Sequence, residues 1–338
     1  MRILHTILTR GMAGTERYVA DLCNQQVKTN PVAILVRSDH QLDNGLTFLS
    51  WLSPEVIVLL VPKQYPLPWI LWHVFRWKPD IIHSHHKRDA KYIGRYVSKV
   101  TKIGTLHIEY QDAFGRCDGL VCISSWQREG IPAEFSGVTE TVFNWVPALR
   151  KADPNKVNKL RAELGIPESA YVVGAVGRFA KEKGLGLLVN AFLEAGLPES
   201  YLVIIGDGPE REALLRRSCP NVILPGITAE VAQYYGLFDL FVLPSLFEPF
   251  GLVLLEAMSM GLPVISTKTE GPREMLSSVK GAVLVETGDV VELSKAIKQA
   301  YIERSLVSKP IQYDLQRFER ELQIGKIESV YKRALNGT

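Results

Sequence analysis

Two glutamates, Glu248 and Glu256, lie in the segment EPFGLVLLE and are suited to binding hydroxyl groups. The residues from Leu252 to Met260 predict a helix that is apolar almost all round, and such a helix is buried. Glu256 is its only charged residue. A buried carboxylate is costly unless it is hydrogen-bonded, so Glu256 needs donors such as paired sugar hydroxyls. The alternative is structural: Glu256 pairs with an arginine and Glu248 is an ordinary acid before a helix.

The start of the same helix offers a second kind of chemistry. The backbone N–H groups of Phe250, Gly251 and Leu252 come before the helix is fully hydrogen-bonded, and they carry the positive end of its dipole. Such a terminus suits a diphosphate, and Gly251 lets a ligand approach the backbone closely. Glu248 stands just outside, within reach of a sugar attached to that diphosphate.

The elements that position these residues follow an alternating pattern of short apolar runs and helical stretches. Most of the runs are β-branched and continuous, which is typical of parallel strands buried on both faces. The predicted strands are 2–7, 32–36, 56–61, 80–85, 103–108, 119–123, 171–177, 201–206, 221–225, 240–244, 263–267 and 282–285. Helices between successive strands imply βαβ units in an α/β fold.

The strands fall into two groups, separated by the charged stretch 151–167. With 338 residues, the chain is longer than one compact core usually holds. We therefore predict two doubly wound Rossmann-like domains facing across a cleft, 1–150 and 151–310, with ligands beyond the carboxyl ends of the strands. A final helix, about 312–335, is predicted to pack back on the first domain.

Composition excludes several classes of protein. The net charge is only +3, and the four cysteines form no CxxC pair, which favours reduced thiols in the cytosol. The first residues lack the length of a signal peptide, and no window has the apolar run of a membrane-spanning helix. We expect a cytoplasmic protein that lies peripherally on the inner face of the cytoplasmic membrane.

Four motifs in the second domain resemble those of retaining GT-B glycosyltransferases, in particular family 4. The segment 244–265 is similar to the family's E-x7-E signature, and VGRFAKEKG (176–184) resembles its basic donor loop. GDGP (206–209) resembles a conserved turn, and GPRE (271–274) resembles the loop after the last active-site strand. The match is strong over about 170–290 and weak in the first domain.

The resemblance implies a role for each matching residue. Glu256 would bind the ribose of the nucleotide, and Glu248 would contact the donor sugar. Arg178 and Lys183 would neutralise the diphosphate and the charge on the leaving group, although a solvated lysine-rich loop is the alternative. Gly206 belongs to a turn that is mainly architectural and at most lines the nucleotide pocket.

Two features of the first domain extend the resemblance. Gly14 lies in GMAGTE (11–16), after the first strand, and resembles a glycine at a close approach to the donor; a simple helix cap at Thr15 is equally compatible. His107 resembles the family's histidine that touches the donor sugar, and its alternative is a satisfied histidine at a strand end.

The run His83-Ser84-His85-His86 looks like a metal site, but no cysteine or carboxylate stands at a ligand-like spacing. No Asp-x-Asp occurs in the chain, so the usual motif that binds a diphosphate through a metal ion is missing. We predict no cofactor and no metal, and we expect His85 or His86 to line the acceptor site.

A basic stripe follows this run. Between residues 87 and 102 a helical pattern places the cations Lys87, Arg88, Lys91, Arg95, Lys99 and Lys102 on one side and Ile93, Tyr96, Val97 and Val100 on the other. A tryptophan-rich segment, 65–77, precedes it. Cations beside aromatic residues favour an anionic membrane surface, and a solvated helix face is the alternative. No motif supports nucleic-acid binding.

The resemblance implies a retaining hexosyltransferase that takes sugar from a UDP- or GDP-sugar. The basic stripe and the tryptophans favour a glycan or lipid-linked glycan as the acceptor, as in lipopolysaccharide or cell-surface polysaccharide synthesis. A sugar-nucleotide epimerase on the same fold and a non-catalytic donor-binding protein are the alternatives.

Overall fold

The computed structural model describes residues 1–9, 14–41, 47–146, 152–277, 279–306 and 310–337. Contacts within the chain divide it into two compact units. Unit 1 comprises Met1–Asn144 and Arg320–Thr338, and unit 2 comprises Trp145–Glu319. Each unit is a parallel β-sheet with helices between its strands, so the fold is α/β with two Rossmann-like domains.

Unit 1 contains a seven-stranded sheet in the order β3-β2-β1-β4-β5-β6-β7. Its strands are β1 (Ile3–Ile7), β2 (Val32–Arg37), β3 (Ile57–Val61), β4 (Ile81–Ser84), β5 (Thr101–Leu106), β6 (Gly119–Cys122) and β7 (Val138–Thr141). Its helices are α1 (Gly14–Gln26), α2 (Pro66–Trp77), α3 (Lys87–Tyr96), α4 (Ser125–Glu129) and α12 (Arg320–Leu335). The central strands are buried on both faces, as their continuous apolar sequences predict.

Unit 2 contains a six-stranded sheet in the order β10-β9-β8-β11-β12-β13. Its strands are β8 (Tyr171–Val176), β9 (Ser200–Ile205), β10 (Val222–Gly226), β11 (Leu240–Leu243), β12 (Val264–Thr267) and β13 (Ala282–Val285). Its helices are α5 (Pro154–Glu163), α6 (Leu185–Ala195), α7 (Arg211–Arg217), α8 (Val231–Leu237), α9 (Leu252–Ser259), α10 (Glu270–Leu276) and α11 (Val290–Glu303). One cluster of buried side chains joins α6 to β8, β9 and β11.

Both sheets share one topological property. In unit 1 the chain runs outward from β1 to β3 and then resumes at β4, which pairs with the other side of β1. In unit 2 the same reversal occurs between β8 and β11. Ligands of open parallel sheets bind beyond the carboxyl ends of the two strands at such a reversal. The loops after β1, β4, β8 and β11 are therefore the places to look for a site.

The structure differs from the sequence-based prediction in three elements. Strand β7 was not predicted, because VTET lacks a continuous apolar run. The predicted helix 87–102 ends at Tyr96, and Thr101 already begins β5. The final helix starts at Arg320 rather than near 312.

None of the helices among the described residues combines the length and apolarity that crossing a bilayer requires.

Helix α12 lies on the β5–β7 side of unit 1. Val330 packs close to the backbone of Gly119 in β6. Arg333 pairs with Glu140 of β7 at 3.1 Å, and Lys326 stands over the ring of Phe143. The last helix of the chain is therefore part of the unit that the first residues begin.

Candidate active site

The loops that follow β8 and β11 hold most of the predicted donor residues. Strands β8 and β11 are hydrogen-bonded neighbours at the reversal of the unit 2 sheet. The basic loop follows β8, and the segment containing Glu248 follows β11. The backbone carbonyl of Glu182 accepts hydrogen bonds from the N–H groups of Leu246 and Phe247, at 2.8 and 3.2 Å. These bonds fix the two loops to each other.

Lys183 and Glu248 form an ion pair across these loops. The Lys183 Nζ atom donates to Glu248 Oε2 at 2.7 Å, and the hydroxyl of Ser245 reaches the same oxygen at 3.4 Å. Glu248 is 8% exposed, whereas Lys183 keeps about a quarter of its side chain in solvent. The lysine can therefore contact a ligand without leaving the carboxylate, because an ammonium group has three donors.

Arg178 lies two residues beyond β8 and is exposed. Its backbone carbonyl accepts from the N–H of Ala180, which bends the loop before Lys183. No ion pair of its guanidinium occurs among the described parts of the chain. A guanidinium in this position is available to an anionic ligand.

The start of α9 lies beside Glu248. Gly251 caps this helix with φ of 101°, a conformation that side chains other than hydrogen rarely permit. Phe250 is buried and Leu252 is half-buried. The N–H of Gly271 in α10 donates to the carbonyl of Glu248 at 3.1 Å, which joins the predicted GPRE loop to the site.

Glu256 lies on the buried side of α9 and is 2% exposed. The hydroxyl of Tyr235, in α8, donates to Glu256 Oε2 at 2.7 Å. The expected burial of Glu256 is thus observed, and the hydroxyl of Tyr235 is one donor to its carboxylate. Tyr235 was not predicted from the sequence.

Gly206 follows β9 at the same edge of the sheet. Its N–H donates to the carbonyl of Gly226, and its φ is 139°. A Cβ atom at this position would stand 1.9 Å from the carbonyl oxygen of Gly177, so only glycine fits. Asp207 turns back to accept from the N–H of Gly208. These contacts give the turn an architectural role and place it next to the loop that carries Arg178.

The reversal in unit 1 holds a different arrangement, a buried network of histidines. Gln26 Oε1 lies 2.7 Å from His5 Nε2, and because an amide oxygen only accepts, that nitrogen carries the hydrogen. His5 Nδ1 then carries no hydrogen and can only accept. His85 Nε2, 3.0 Å away, is therefore the donor in this hydrogen bond. His85 Nδ1 remains an acceptor, buried and without a partner among the described residues.

A second branch of this network passes through α12. Gln26 Nε2 donates to the hydroxyl of Tyr331 at 3.3 Å, and that hydroxyl lies 2.7 Å from His83 Nδ1. His83 Nε2 in turn contacts Thr105 at 2.7 Å. Burial lowers the pKa of His5 to about 4 and holds the pKa values of His83 and His85 well below 6.5. The imidazoles are therefore neutral, as this pattern of donors and acceptors requires.

His5, His83 and His85 also offer nitrogen atoms within 4.8 Å of one another, a grouping that could hold a metal ion. Of these three residues, His5 and His83 have both ring nitrogens in hydrogen bonds. A metal ion would have to displace those bonds, so the hydrogen-bonded network fits the residues better. Metal independence stays a prediction.

Of the remaining predicted residues of unit 1, His107 and His86 lie near this network. His107 follows β5, its Nε2 has no partner in the described residues, and burial lowers its pKa to about 3. Its ring lies 5.3 Å from that of Tyr18 and 5.7 Å from that of His85. Gly14 begins α1 and is exposed, while residues 11–13 of the predicted glycine-rich loop lie outside the described residues. His86 lies at the start of α3, close to Thr9.

The predicted basic stripe is shorter than expected. Lys87, Arg88, Lys91 and Arg95 are exposed on α3, and we call them the basic face. Lys99 lies beyond the helix, with φ of 61°. Lys102 lies in β5 and stands 3.8 Å from Asp118. Both lysines leave the stripe because the helix ends at Tyr96, where the chain turns into a strand.

Aromatic side chains are exposed on α2. Trp69, Trp72 and Phe75 project into solvent, Phe75 with 76% of its surface exposed. The buried side of α2 packs with that of α3 in one cluster, through Ile70 and Ile93. The aromatic surface and the basic face therefore belong to two helices that share one core.

Comparison with known families identifies the part of the chain that carries the site. Residues 170–302 match the model of the family described as glycosyl transferases group 1. We call these residues the group 1 domain, after the family that they match. They include Lys183, Glu248 and Glu256, together with the whole β8–β13 sheet.

Relatives of the whole chain extend the similarity of the group 1 domain to unit 1. The lipopolysaccharide core biosynthesis glycosyltransferase LpsD of Rhizobium meliloti (strain 1021) is 28% identical over 323 residues, covering 88% of each chain. LpsE of the same organism is 29% identical over 251 residues, covering 68% of each. This protein is therefore related to glycosyltransferases of lipopolysaccharide core biosynthesis.

Solved structures share the architecture that carries the group 1 domain. Anabaena HepE, solved with UDP and glucose, matches with a TM-score of 0.80 at 20% identity, covering 98% of this chain and 99% of that one. Sucrose-phosphate synthase of Thermosynechococcus elongatus matches with a TM-score of 0.79 at 20% identity, covering all of both chains. These similarities show the two-domain GT-B fold.

Two contributions to these sites have weak signals in the sequence. Tyr235 is one of two adjacent tyrosines in a short helix, and nothing in its spacing points to Glu256. The partners of His83 are Thr105 and Tyr331, and Tyr331 is separated from His83 by 248 residues. Only the pairing of β1 with β4 and the return of α12 bring these groups together.

Proposed function

We propose that this protein transfers a hexose from a UDP- or GDP-sugar to a glycan or lipid-linked acceptor, with retention of the anomeric configuration. The observation that carries the proposal is the Lys183–Glu248 pair, which holds a cation and a carboxylate side by side at the sheet reversal of the group 1 domain. A nucleotide-diphosphate sugar presents an anion next to hydroxyl groups, and this pair complements both.

Each donor-site residue has a task in the proposed reaction. Arg178 and Lys183 neutralise the diphosphate and stabilise the negative charge of the leaving nucleotide, which is where charge develops in the transition state. The N–H groups at the start of α9, at Phe250, Gly251 and Leu252, add donors to the same anion. Glu248 orients the sugar and Glu256 the ribose. Gly206 lines the nucleotide side of the site.

Unit 1 is proposed to bind the acceptor. Two of its residues, His107 and Gly14, are proposed to contact the donor sugar. The neutral imidazole of His107 can exchange hydrogen bonds with a hydroxyl without taking up charge, because burial keeps its pKa far below neutral pH. We propose that no metal takes part, since Arg178 and Lys183 meet the charge of the diphosphate.

The names of relatives support the class of substrate. LpsD and LpsE act in lipopolysaccharide core biosynthesis, and a GDP-mannose-dependent alpha-mannosyltransferase of Corynebacterium glutamicum is 27% identical over 281 residues. We accordingly propose lipopolysaccharide or a similar cell-surface glycan as the product. The relatives do not favour the epimerase or the non-catalytic binding protein.

The test of this proposal is transfer with analysis of the product. The protein is screened by thermal shift against UDP, GDP and ADP and their hexose derivatives, since a bound ligand raises the melting temperature. The stabilising donor is then incubated with truncated lipopolysaccharide cores, and the new linkage is assigned by NMR. An α-linked product from an α-configured donor is expected. A β-linked product contradicts retention, and epimerised donor without acceptor contradicts transfer.

We further propose that the protein works at the inner face of the cytoplasmic membrane, on which it docks through unit 1. The basic face contributes about 1 kcal/mol per cation near an anionic bilayer, and the exposed aromatic residues of α2 suit the interfacial region.

Co-sedimentation with vesicles containing anionic lipid tests the docking. Replacing Lys87, Arg88, Lys91 and Arg95 by glutamine should release the protein. The matched control replaces Lys295 and Lys298, which are exposed on α11 in unit 2. Equal binding to zwitterionic vesicles, or equal loss in the control, contradicts the assignment.

A further inference from the structure

We propose that Tyr235 is a positioning residue for Glu256, and that it thereby sets a preference for ribonucleotide over 2′-deoxyribonucleotide donors. The inference rests on the proposed function, because it assigns Glu256 to the ribose of the donor. It goes further by naming the group that holds this carboxylate in place and the chemical property of the donor that depends on it.

The position of Tyr235 is fixed from several sides. It lies in α8 with no exposed surface, and its ring contacts those of Phe238 and Phe241 at centroid distances of 6.0 and 5.7 Å. A ring packed in this way has little rotational freedom, so its hydroxyl occupies a defined point. That point lies 2.7 Å from Glu256 Oε2 and 3.2 Å from the backbone carbonyl of Val253.

A phenol has one hydrogen to donate, and both Glu256 and the carbonyl of Val253 lie within reach of it. The carboxylate is the stronger acceptor, and its distance is the shorter one. Tyr235 therefore donates to Glu256. Val253 and Glu256 both belong to α9, so the tyrosine also fixes the distance between α8 and the helix that begins at Gly251.

The consequence concerns how a carboxylate recognises a vicinal diol. The 2′- and 3′-hydroxyls of a ribose donate two hydrogen bonds, and both are well aligned only when the carboxylate has one orientation. A glutamate held at one oxygen loses less side-chain freedom on binding than an unrestrained one. The hydroxyl of Tyr235 is thus coupled to the 2′-hydroxyl of the ligand, although the two groups need not touch.

The experiment compares affinities for pairs of nucleotides. Dissociation constants for UDP, GDP and ADP and for their 2′-deoxy counterparts are measured by calorimetry on wild-type protein, Tyr235→Phe and Glu256→Ala. We expect a ribo preference of about tenfold or more in the wild type, a clear reduction of that ratio in Tyr235→Phe, and a ratio near one in Glu256→Ala.

The double variant decides whether Tyr235 acts through Glu256. Adding Tyr235→Phe to Glu256→Ala should leave the ratio unchanged, because the group that transmits the effect is already missing. The matched control is Tyr313→Phe, which removes another hydroxyl of unit 2, bonded to the carbonyl of Leu262 at 2.8 Å. It should keep the wild-type ratio, because a general loss of stability does not distinguish two nucleotides by their 2′ position.

The outcomes separate this inference from the proposed function. Wild-type protein that binds none of the nucleotides overturns the proposed function. Wild-type protein that prefers ribonucleotides, with an unchanged preference in Tyr235→Phe, overturns the positioning role and leaves donor binding intact. If Tyr235→Phe does not fold, Glu256→Gln replaces it. Glutamine keeps an oxygen that can accept from Tyr235, so its preference should exceed that of Glu256→Ala, and equal ratios overturn the inference.

Discussion

The two sheet reversals of this chain occupy equivalent places in equivalent sheets, yet they carry opposite kinds of chemistry. In unit 2 the reversal holds an ion pair and a basic loop, partly in solvent. In unit 1 it holds imidazoles that burial keeps uncharged. The topology therefore determines where a site forms, while the side chains determine whether it offers charge or hydrogen bonds.

The difference teaches what each region can be used for. A lysine that is partly in solvent can replace a contact with water by a contact with a ligand at little cost while it stays paired with the buried Glu248. A neutral buried network cannot, because each of its donors has one acceptor and burial penalises any unpaired group. We expect substitutions in unit 2 to change catalysis, and substitutions in the unit 1 network to change stability.

The largest effect is expected from Lys183→Ala. Removal of one group that stabilises developing charge commonly lowers turnover by about 10² to 10³, and Lys183 is the cation held against Glu248. The value of kcat/KM is to be measured with the donor found by thermal shift. The matched control is Lys181→Ala, an exposed lysine of the same short turn. Similar rates in the two variants would contradict the role of Lys183.

The next effect is the response of unit 1 to acid. The pKa of His5 is about 4 in the folded protein and about 6.5 when unfolded, so the unfolded state binds its proton first as the pH falls. This residue alone removes about 3 kcal/mol of stability between pH 6.5 and pH 4. His83, His85 and His107 act in the same direction. Urea unfolding at several pH values measures the loss, and constant stability would contradict a neutral network.

Asp89 sharpens this test because it acts in the opposite direction. Burial raises its pKa to about 7, so the folded state binds a proton that the unfolded state does not, and acid stabilises the protein through this group. Asp89→Asn keeps an oxygen for the N–H of Leu8 and removes the titration. The variant should lose stability more steeply between pH 7 and pH 4 than the wild type does.

A smaller effect is expected from Tyr331→Phe. The change leaves His83 Nδ1 and the amide of Gln26 without their partner in a buried site, which costs about 1 to 3 kcal/mol. The free energy of unfolding at neutral pH measures it. Tyr313→Phe serves as the reference, because its hydroxyl is only half-buried and bonds to one carbonyl. A cost no greater than that of the reference would show that the network adds nothing beyond one hydrogen bond.

Much of the fold follows from the sequence because buried parallel strands need continuous apolar runs. The runs at 32–36 and 240–244 coincide with β2 and β11 to within a residue. The prediction fails where local sequence is ambiguous. VTET has the composition of an exposed turn as much as of a strand, and β7 forms because β6 lies beside it. The basic stripe also looked longer than α3, since helical periodicity continues by chance into β5.

The candidate site was predictable where its residues share one short segment. Glu248 lies in the loop before α9 and Glu256 lies within α9, so their spacing carries information. The pairing of Lys183 with Glu248 was not predicted, because it depends on the hydrogen bonds of Glu182 to the next loop. Tyr235 and Tyr331 could not be found at all, since each acts on a partner in another element and only tertiary structure brings them together.

The return of α12 to unit 1 has a consequence for synthesis on the ribosome. The residues of α12, Tyr331 among them, complete unit 1 and are made after all of unit 2. Unit 2 is continuous in sequence and can fold as soon as it emerges from the ribosome. The first segment of unit 1 is synthesised earlier, but it cannot complete its packing until α12 has been made. During that interval His83 and Gln26 lack their partner from α12. We therefore expect unit 2 to finish folding before unit 1, although synthesis of unit 1 starts first. The amino-terminal segment of unit 1 would then stay accessible to chaperones for longer.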